Sequence, residues 1–367
     1  MTEAYQVYRM LADAWDLPYG EARTVLLEGA LRAAEDLRDP KLVVQARLDL
    51  TRAYQHGGEP VKAFATFTRN LAAYDAEPGS FEERQVRGLL WQFKWIMASI
   101  RRFPEIPLRR ALDALDDMER RYRQAGGLLH AVYAARCGMA RHLGDDEGLA
   151  EWFHRWHVQP RDDLSDCQAC DIGARASVLA CLGRDEEAVA LAAPVVSGTF
   201  TCSSQPQGIL TAMLTIYLRT SRLEEAAEAH RKAYRLCQGD LASLDDLGEH
   251  LAFCARTGNE ARGLEILQRE LPLLDRPPSP GHAQPFMVGA ALVLRRLEET
   301  GHGGLTVLRG GREAPVPELR AAMEAGAREI AARFDARNGT DVHTRRLEAD
   351  LAAPPLTRRL PLLPGDA

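Results

Sequence analysis

Three of the seven cysteines are spaced in a way that could bind a metal ion. Cys167 and Cys170 form a C-x-x-C pair flanked by acidic residues, and Cys202 follows 32 residues later. Three cysteine sulfurs and one histidine nitrogen are a common tetrahedral ligand set for structural zinc, and His157 precedes the pair. The one cofactor that the sequence suggests is therefore a structural zinc ion held by Cys167, Cys170, Cys202 and His157.

Other interpretations of these thiols stay open. A single C-x-x-C is also typical of a redox-active pair, and two unrelated thiols can have the same spacing. A site with four protein ligands has no open position, so it would stabilise the fold rather than catalyse a reaction. The remaining cysteines fall within helical patterns and are interpreted as small apolar core residues: Cys137, Cys181, Cys237 and Cys254.

Sequence motifs of common enzymes are absent. The chain has no phosphate-binding loop, no dinucleotide-binding glycine motif, no H-E-x-x-H and no G-x-S-x-G. Paired carboxylates such as Asp116 and Asp117 fall on polar helix faces and are interpreted as solvated surface charges, whereas a general acid needs a buried position. We therefore expect no catalytic residues and a protein that is not an enzyme.

The elements that must position the cysteines follow a repeated helical pattern. Leu50 and Tyr54 share one face of a first helix, Gly58 marks a break, and Ala63 and Phe67 share one face of a second helix. A small residue at the crossing lets two antiparallel helices approach closely. The small-residue position of the other copies falls at Ala22, Ala111, Leu149, Ala188, Ala226 and Gly263.

These residues resemble the tetratricopeptide repeat family, whose first helix carries a Leu and a Tyr and whose second carries an Ala and a Phe. The resemblance covers roughly residues 4–275, with repeats of mostly 37–41 residues and one interval of 48, compared with 34 in the family. A divergent helical repeat of another subfamily is the competing assignment. The resemblance implies an all-α fold, a right-handed α-solenoid of stacked antiparallel helix pairs.

The repeat pattern also predicts the domain organisation. Residues 1–276 should form the solenoid of about seven helix pairs, and residues 277–337 a C-terminal capping helix pair with a Gly-rich linker. Residues 338–367 are predicted to be a disordered tail, because four prolines and little periodicity characterise its last 15 residues.

In the tetratricopeptide repeat family the first helix of each pair lines the concave face. Matching the helices implies a ligand groove formed by Arg52, Gln55, His56, Arg141, His142, Arg219 and Arg256. Its charged groups are nearly all basic, and guanidinium groups bind carboxylates bidentately, so we expect an acidic or C-terminal peptide as ligand. The competing explanation is composition, since only four of the 46 basic residues are lysine. The pairs Trp91 and Trp95, and Trp152 and Trp156, are interpreted as core packing between repeats.

The net charge and the composition of individual segments limit the classes of partner that we expect. The net charge of −6 argues against a nucleic-acid partner, and prolines interrupt the one long uncharged stretch, residues 188–218, so no membrane contact is expected. Residues 1–17 lack the features of a secretory signal, which predicts a cytoplasmic protein.

The leading functional hypothesis is a non-catalytic scaffold that binds a protein or peptide. The alternative is a metal- or redox-responsive regulatory protein that uses the Cys167, Cys170 and Cys202 cluster. The sequence specifies neither the partner nor the oligomeric state.

Overall fold

A computed structural model of the chain describes residues 3–362, and within this range it contains helices and one short hairpin. The helices are α1 (Glu3–Trp15), α2 (Glu21–Asp36), α3 (Pro40–His56), α4 (Pro60–Ala76), α5 (Glu83–Ile100), α6 (Leu108–Gln124), α7 (His130–Leu143), α8 (Asp146–Val158), α9 (Gln168–Cys181), α10 (Asp185–Val196), α11 (Gln207–Arg219), α12 (Leu223–Cys237), α13 (Leu244–Arg256), α14 (Glu260–Glu270), α15 (Pro280–Glu299), α16 (Val316–Asn338) and α17 (Val342–Ala352). The strands β1 (Thr306–Arg309) and β2 (Arg312–Pro315) pair antiparallel. The predicted all-α fold of stacked helix pairs is confirmed. None of the helices between residues 3 and 362 is both long enough and apolar enough to span a lipid bilayer.

The same type of turn connects the first helix to the second in five of the helix pairs between residues 3 and 362. Its central residue has a positive φ of 57–78°, and the next amide donates to the carbonyl five residues earlier at 2.8–3.0 Å, which is the Schellman pattern at a helix C-terminus. Glycine occupies this position in four pairs because it has no Cβ to resist a positive φ. The turn residues are Gly58, Gly144, Gly183, Ser221 and Gly258.

The predicted small residue is buried in most of the second helices, whereas Ala22 of α2 is exposed. Ala63, Ala188 and Ala226 have no exposed surface, and Gly263 is buried. A Cβ on Gly263 would lie 2.7 Å from Val293 Cγ2 of α15, closer than two carbon atoms can approach. The absence of a Cβ at Gly263 therefore allows α14 and α15 to pack closely here.

The helix pairs are distributed over two compact units. Unit 1 comprises residues 3–101, Arg109–Ala135 and Gln159–Ser165, and an apolar core runs through its helices α1 to α4. Unit 2 comprises Arg102–Leu108, Arg136–Val158 and residues 166–362, and its largest core joins α12 to α17. The boundaries predicted at residues 276 and 337 remain predictions.

The C-terminal segment differs from the sequence prediction of disorder. Part of it forms helix α17, in which Leu347 and Leu351 are buried because they share one face of the helix. Beyond this helix, the amide of Leu360 donates to the carbonyl of Thr257 at 2.9 Å. Residues 363–367 of the predicted tail lie outside the described residues.

The predicted Gly-rich linker contains the β1–β2 hairpin. Gly310 and Gly311 form its turn with φ of 56° and 77°, a pair of positive angles typical of a type I′ turn. Val307 of β1 has no exposed surface and belongs to the core of unit 2, which anchors the hairpin.

Candidate functional site

The groove residues predicted on α3 lie together in unit 1. The Arg52 guanidinium lies 4.7 Å from the centre of the Trp15 ring and 5.9 Å from that of Trp95, both within the range of a cation–π interaction. Trp15 remains 53% exposed, so the stacked pair is open to a ligand. Trp15 belongs to α1 and Arg52 to α3, and these are the first helices of neighbouring pairs.

His56 lies between two aromatic rings on the same surface. Its imidazole is 4.7 Å from the Tyr19 ring and 5.2 Å edge-on to the Trp95 ring. Burial, with smaller effects from Arg52 and Arg23, lowers the pKa of His56 to about 4. His56 is therefore neutral at pH 7, and the positive charge of this surface comes from arginine and lysine.

The surface continues onto α5. Trp91 and Trp95 form an edge-to-face pair at 4.9 Å, and the Lys94 ammonium lies 3.5 Å from the Trp91 ring centre. Gln55 accepts a hydrogen bond from the Ser99 hydroxyl at 3.1 Å. Both tryptophans are partly exposed, so the prediction that this pair packs in the core is wrong. We call this surface the aromatic face, and its members are Trp15, Tyr19, Arg52, His56, Trp91 and Trp95.

Of the other predicted tryptophan pair, only one member is in the core. Trp156 is 2% exposed and its indole N–H donates to the Asp171 carboxylate at 3.1 Å. Trp152 is partly exposed, and the guanidinium groups of Arg136 and Arg155 lie 5.0 and 4.7 Å from its ring centre. Core packing therefore holds for Trp156 alone.

Arg141 and His142, at the end of α7, contact the C-terminal helices of unit 2. The Arg346 guanidinium donates to the Arg141 carbonyl at 2.8 Å, and the His142 carbonyl lies 3.0 Å from His343 Nε2. The His142 ring also packs on Phe334 and hydrogen-bonds with the Arg337 guanidinium. Helices α16 and α17 thus occupy the position where a ligand was expected to contact His142.

Arg219 and Arg256 already hold carboxylates. Arg219 binds Asp185 through two nitrogen–oxygen contacts of 2.8 and 2.7 Å, and this pair is partly exposed. Arg256 binds Asp350 of α17 at 2.8 Å, and its side chain is only 15% exposed. An anionic ligand at either guanidinium would first have to displace an intramolecular partner.

The first helix of the seventh pair, α13, is acidic where the groove was expected to be basic. It carries Asp245, Asp246 and the exposed Glu249, and Asp245 binds the Arg102 guanidinium at 2.6 Å. Burial, and then the neighbouring Asp245, raises the pKa of Asp246 well above its usual value. The expectation that charged groups on the first helices are nearly all basic is therefore wrong at this helix.

The three predicted thiol ligands converge in unit 2. The sulfurs of Cys167, Cys170 and Cys202 all lie within 4.8 Å of one another, and those of Cys170 and Cys202 are 3.5 Å apart. Cys167 is the N-cap of α9, so its sulfur accepts a hydrogen bond from the Cys170 amide at 3.4 Å. We call these three residues the thiol cluster, and each of its side chains is partly exposed.

The three thiols of the cluster differ in pKa. The hydrogen bond with Cys170 lowers the pKa of Cys202 to about 6, and the same bond raises the pKa of Cys170. Burial raises the pKa of Cys167. Cys202 is therefore the first of the three to become a thiolate as the pH rises.

His157 does not join the thiol cluster. Its side chain is exposed at the end of α8, and its Nδ1 hydrogen-bonds with the Arg175 guanidinium. Arg175 lies five residues after Cys170 on α9, more than one helical turn beyond the cysteines. The His157 imidazole thus contacts α9 away from the end that carries the sulfurs, so the predicted Cys₃His ligand set is wrong in its histidine.

The remaining cysteines follow the prediction with one exception. Cys137, Cys237 and Cys254 have no exposed surface, and burial raises the pKa of each to about 12. Cys181, the last residue of α9, is exposed and is not a core residue.

Sequence reasoning missed the aromatic partners of Arg52. Trp15 and Arg52 are 37 residues apart, which is one repeat, so equivalent turns of two first helices bring them together. The repeat length was therefore the signal that could have found the aromatic face.

No family model matches this chain, and no curated protein matches it. Among solved structures, it is similar to the crystal structure of the APC/C hetero-tetramer Cut9-Hcn1, with a TM-score of 0.50 and 12% sequence identity. The match covers 94% of this chain but 60% of that chain, so this protein spans less than two thirds of its length. At this identity the likeness concerns the fold alone. With the helices and the repeated turns between residues 3 and 362, it supports a tetratricopeptide-like fold.

Proposed function

We propose that this protein is a non-catalytic scaffold that binds a protein partner through an acidic or C-terminal peptide segment. The tetratricopeptide-like fold supports a scaffold, because stacked helix pairs present an extended surface to a partner. The similar solved structure is itself a hetero-tetramer, which supports a protein as the partner. Fold alone does not specify function, so the finer proposal depends on the site.

The aromatic face is the observation that carries this proposal. Arg52 lies within cation–π range of two tryptophan rings. Within residues 3–362 it makes no ion pair, unlike Arg219 and Arg256. It interacts electrostatically with Asp49 on the same helix. A guanidinium stacked in this way keeps its nitrogen donors free for a carboxylate, and the rings around it offer apolar surface to the flanking peptide side chains. Aromatic residues and arginine are also the residue types that dominate the binding energy of protein interfaces.

Selection from a displayed library of peptides with free C-termini, using the full chain as bait, tests the proposal. We expect enrichment of acidic or C-terminal carboxylate sequences that the Arg52→Glu variant binds at least about 10-fold more weakly, since charged interface contacts contribute a few kcal/mol. Arg109→Glu is the matched control, because Arg109 is also in unit 1 but lies 85% exposed on α6 beside Asp113. Peptides whose affinity at low salt is the same for wild type and Arg52→Glu would exclude the aromatic face as the binding site.

A second candidate function is a regulatory protein that responds to metal or redox state. The convergence of the three sulfurs within 4.8 Å is the observation that favours it. Its test is whether adding zinc or an oxidant changes the affinity of the selected peptides by more than about threefold, a change of about 0.65 kcal/mol in binding free energy. An unchanged affinity in a protein that has bound the metal would contradict a regulatory role.

A further inference from the structure

The spacing of the three sulfurs fits a metal ion better than a disulfide. Zinc–sulfur bonds of about 2.3 Å place tetrahedral sulfur ligands about 3.8 Å apart. The Cys170 and Cys202 sulfurs are 3.5 Å apart, and Cys167 lies within 4.8 Å of both. A disulfide would bring two sulfurs to about 2 Å and leave the third without a role. The Cys170–Cys202 separation is therefore close to that of two ligands of one ion, and Cys167 lies near enough to be the third.

Backbone amides support two of the three sulfurs. The Cys170 N–H donates to the Cys167 sulfur, and the Ser204 N–H donates to the Cys202 sulfur, both at 3.4 Å. Such donors stabilise thiolates and fix the direction of their lone pairs, which is how outer-shell groups orient metal ligands. Asp166 accepts from the Cys167 amide at 2.8 Å and adds negative charge beside the cluster, which favours a divalent cation.

The Gln205 side chain holds the two segments in register. Cys202 and Gln205 exchange two backbone hydrogen bonds of 3.2 Å, and the Gln205 amide oxygen accepts from the Ile209 N–H at 2.8 Å. A Cβ on Gly173 of α9 would lie 3.1 Å from the Gln205 amide nitrogen, and a Cβ on Gly208 of α11 would lie 3.2 Å from the same atom. Two glycines thus leave room for Gln205, which fixes the turn of Cys202 against the helix that carries Cys167 and Cys170.

Within residues 3–362, the group of mutually close ligand atoms contains these three sulfurs and no histidine or carboxylate. All three side chains are partly exposed, so solvent reaches the cluster. A zinc ion bound by three protein ligands completes its tetrahedron with water or another small ligand.

We propose that Cys167, Cys170 and Cys202 form a three-thiolate zinc site whose fourth ligand is an exchangeable solvent molecule. Zinc fits because thiolates are its common ligands and its double charge offsets more of the negative charge than a monovalent ion does. The site is independent of peptide binding at the aromatic face. The zinc site uses the same three cysteines as the second candidate function. It does not depend on that function, because zinc can bind without regulating the protein.

Cobalt(II) titration of the reduced, metal-free full chain tests the site. We expect one cobalt per chain, a sulfur-to-cobalt charge-transfer band with the intensity of three thiolates, and displacement of cobalt by zinc. Serine substitution of Cys167, Cys170 or Cys202 should weaken cobalt binding by more than about 100-fold, since losing a ligand exceeds the 10–100-fold effect of losing an outer-shell partner. Cys181→Ser is the matched control, because this exposed cysteine lies on the same helix as two of the ligands.

The fourth position is tested separately. Azide or imidazole should shift the visible cobalt bands of the wild type, and His157→Gln should leave both the affinity and the shift unchanged. A cobalt spectrum that these ligands do not change would overturn the exchangeable position.

Several outcomes would overturn the three-thiolate site as a whole. These are a charge-transfer band of only two thiolates, the same cobalt affinity in wild type and all three serine variants, and an absence of binding by reduced protein. Protein that loses two hydrogens in mass, through a Cys170–Cys202 disulfide, and binds no cobalt after reduction would instead indicate a redox pair. If the serine variants fail to fold, the wild-type stoichiometry and the Cys181→Ser titration still decide the result.

Discussion

The buried Glu270 side chain of unit 2 has a hydrogen-bond donor for each of its carboxylate oxygens. Glu270, 1% exposed at the end of α14, accepts from the Tyr234 hydroxyl through one carboxylate oxygen and from the Gly239 amide through the other, both at 2.9 Å. Burial, together with this hydrogen bond, raises the pKa of Tyr234 to about 12. One carboxylate thus joins the end of α12 to the loop that follows it.

Replacing Glu270 with glutamine should therefore destabilise the protein. The glutamine oxygen can accept from the Gly239 amide while its NH₂ donates to the Tyr234 hydroxyl oxygen, so two hydrogen bonds to a charged group become neutral ones, and we expect a loss of about 1 kcal/mol in the free energy of unfolding. Urea denaturation measures this change. Glu265→Gln, an exposed position on the same helix, should stay within about 0.5 kcal/mol of wild type. Equal stability of the two variants would show that the buried contacts of Glu270 contribute little.

At the scale of elements, glycines bring two helices of unit 2 into backbone contact. A Cβ on Gly248 of α13 would lie 2.4 Å from the Phe286 amide nitrogen of α15, and a Cβ on Gly289 would lie 2.2 Å from the Gly248 carbonyl oxygen. Neither position has a positive φ, so the requirement for glycine here is close approach and not backbone conformation.

Gly248→Ala should force α13 and α15 apart. Overpacking of this kind typically costs about 1–3 kcal/mol, and the partner here is backbone that cannot rotate away, so we expect the upper end of that range. Thermal unfolding followed by circular dichroism measures the loss. Gly304→Ala is the matched control, since its added Cβ would meet nothing within 4 Å and its φ is not positive. A melting temperature equal to that of the control would contradict close packing at this crossing.

Across the whole molecule, features set by neighbouring residues could be predicted from the sequence, whereas long-range partners could not. The turn at Gly183 and the buried Ala188 follow from local spacing and from the conformational freedom of glycine. The Arg219–Asp185 pair joins residues 34 apart, and nothing in the sequence distinguishes Asp185 from other surface acids. Helix α17 was missed because prolines farther along dominate the composition of its segment.

The candidate sites show the same division. Convergence of Cys167 and Cys170 with Cys202 could be predicted because their loops precede the first helices of successive pairs. The direction of the His157 side chain could not, because one residue along a helix turns a side chain by about 100°. That rotation decides whether the imidazole faces the sulfurs or Arg175.

A buried histidine pair makes the stability of the molecule dependent on pH. Nδ1 of His230 lies 3.0 Å from Nδ1 of His250, and both side chains are buried. Burial lowers the pKa of His250 to about 3, and burial followed by the charges of His250, Arg262 and Arg231 lowers the pKa of His230 well below its usual value. The folded state therefore keeps both rings neutral, while the unfolded chain binds protons below about pH 6.5.

Stability should consequently be present at neutral pH and be lost as the pH falls below about 6.5. Each histidine should contribute a loss of about 2 kcal/mol between pH 6.5 and 5. Urea denaturation at both pH values measures it, and the wild-type loss should exceed that of His250→Gln by about 2 kcal/mol, which separates the histidine from titrating carboxylates. His302→Gln, at an exposed position, is the control. Identical pH dependence of wild type and His250→Gln would refute the assignment.

The recurring turn also makes the number of repeats a variable for protein engineering. Ser221 and Gly258 have similar φ angles of 57° and 66°, and the amide after each bonds the carbonyl five residues back. Deleting residues 221–257 would join Thr220 to Gly258 along a path that the backbone already follows from α13 to α14, and it keeps the glycine, at which an added Cβ would lie 1.9 Å from the Arg358 carbonyl oxygen. Duplicating the same segment would lengthen the array without a designed linker.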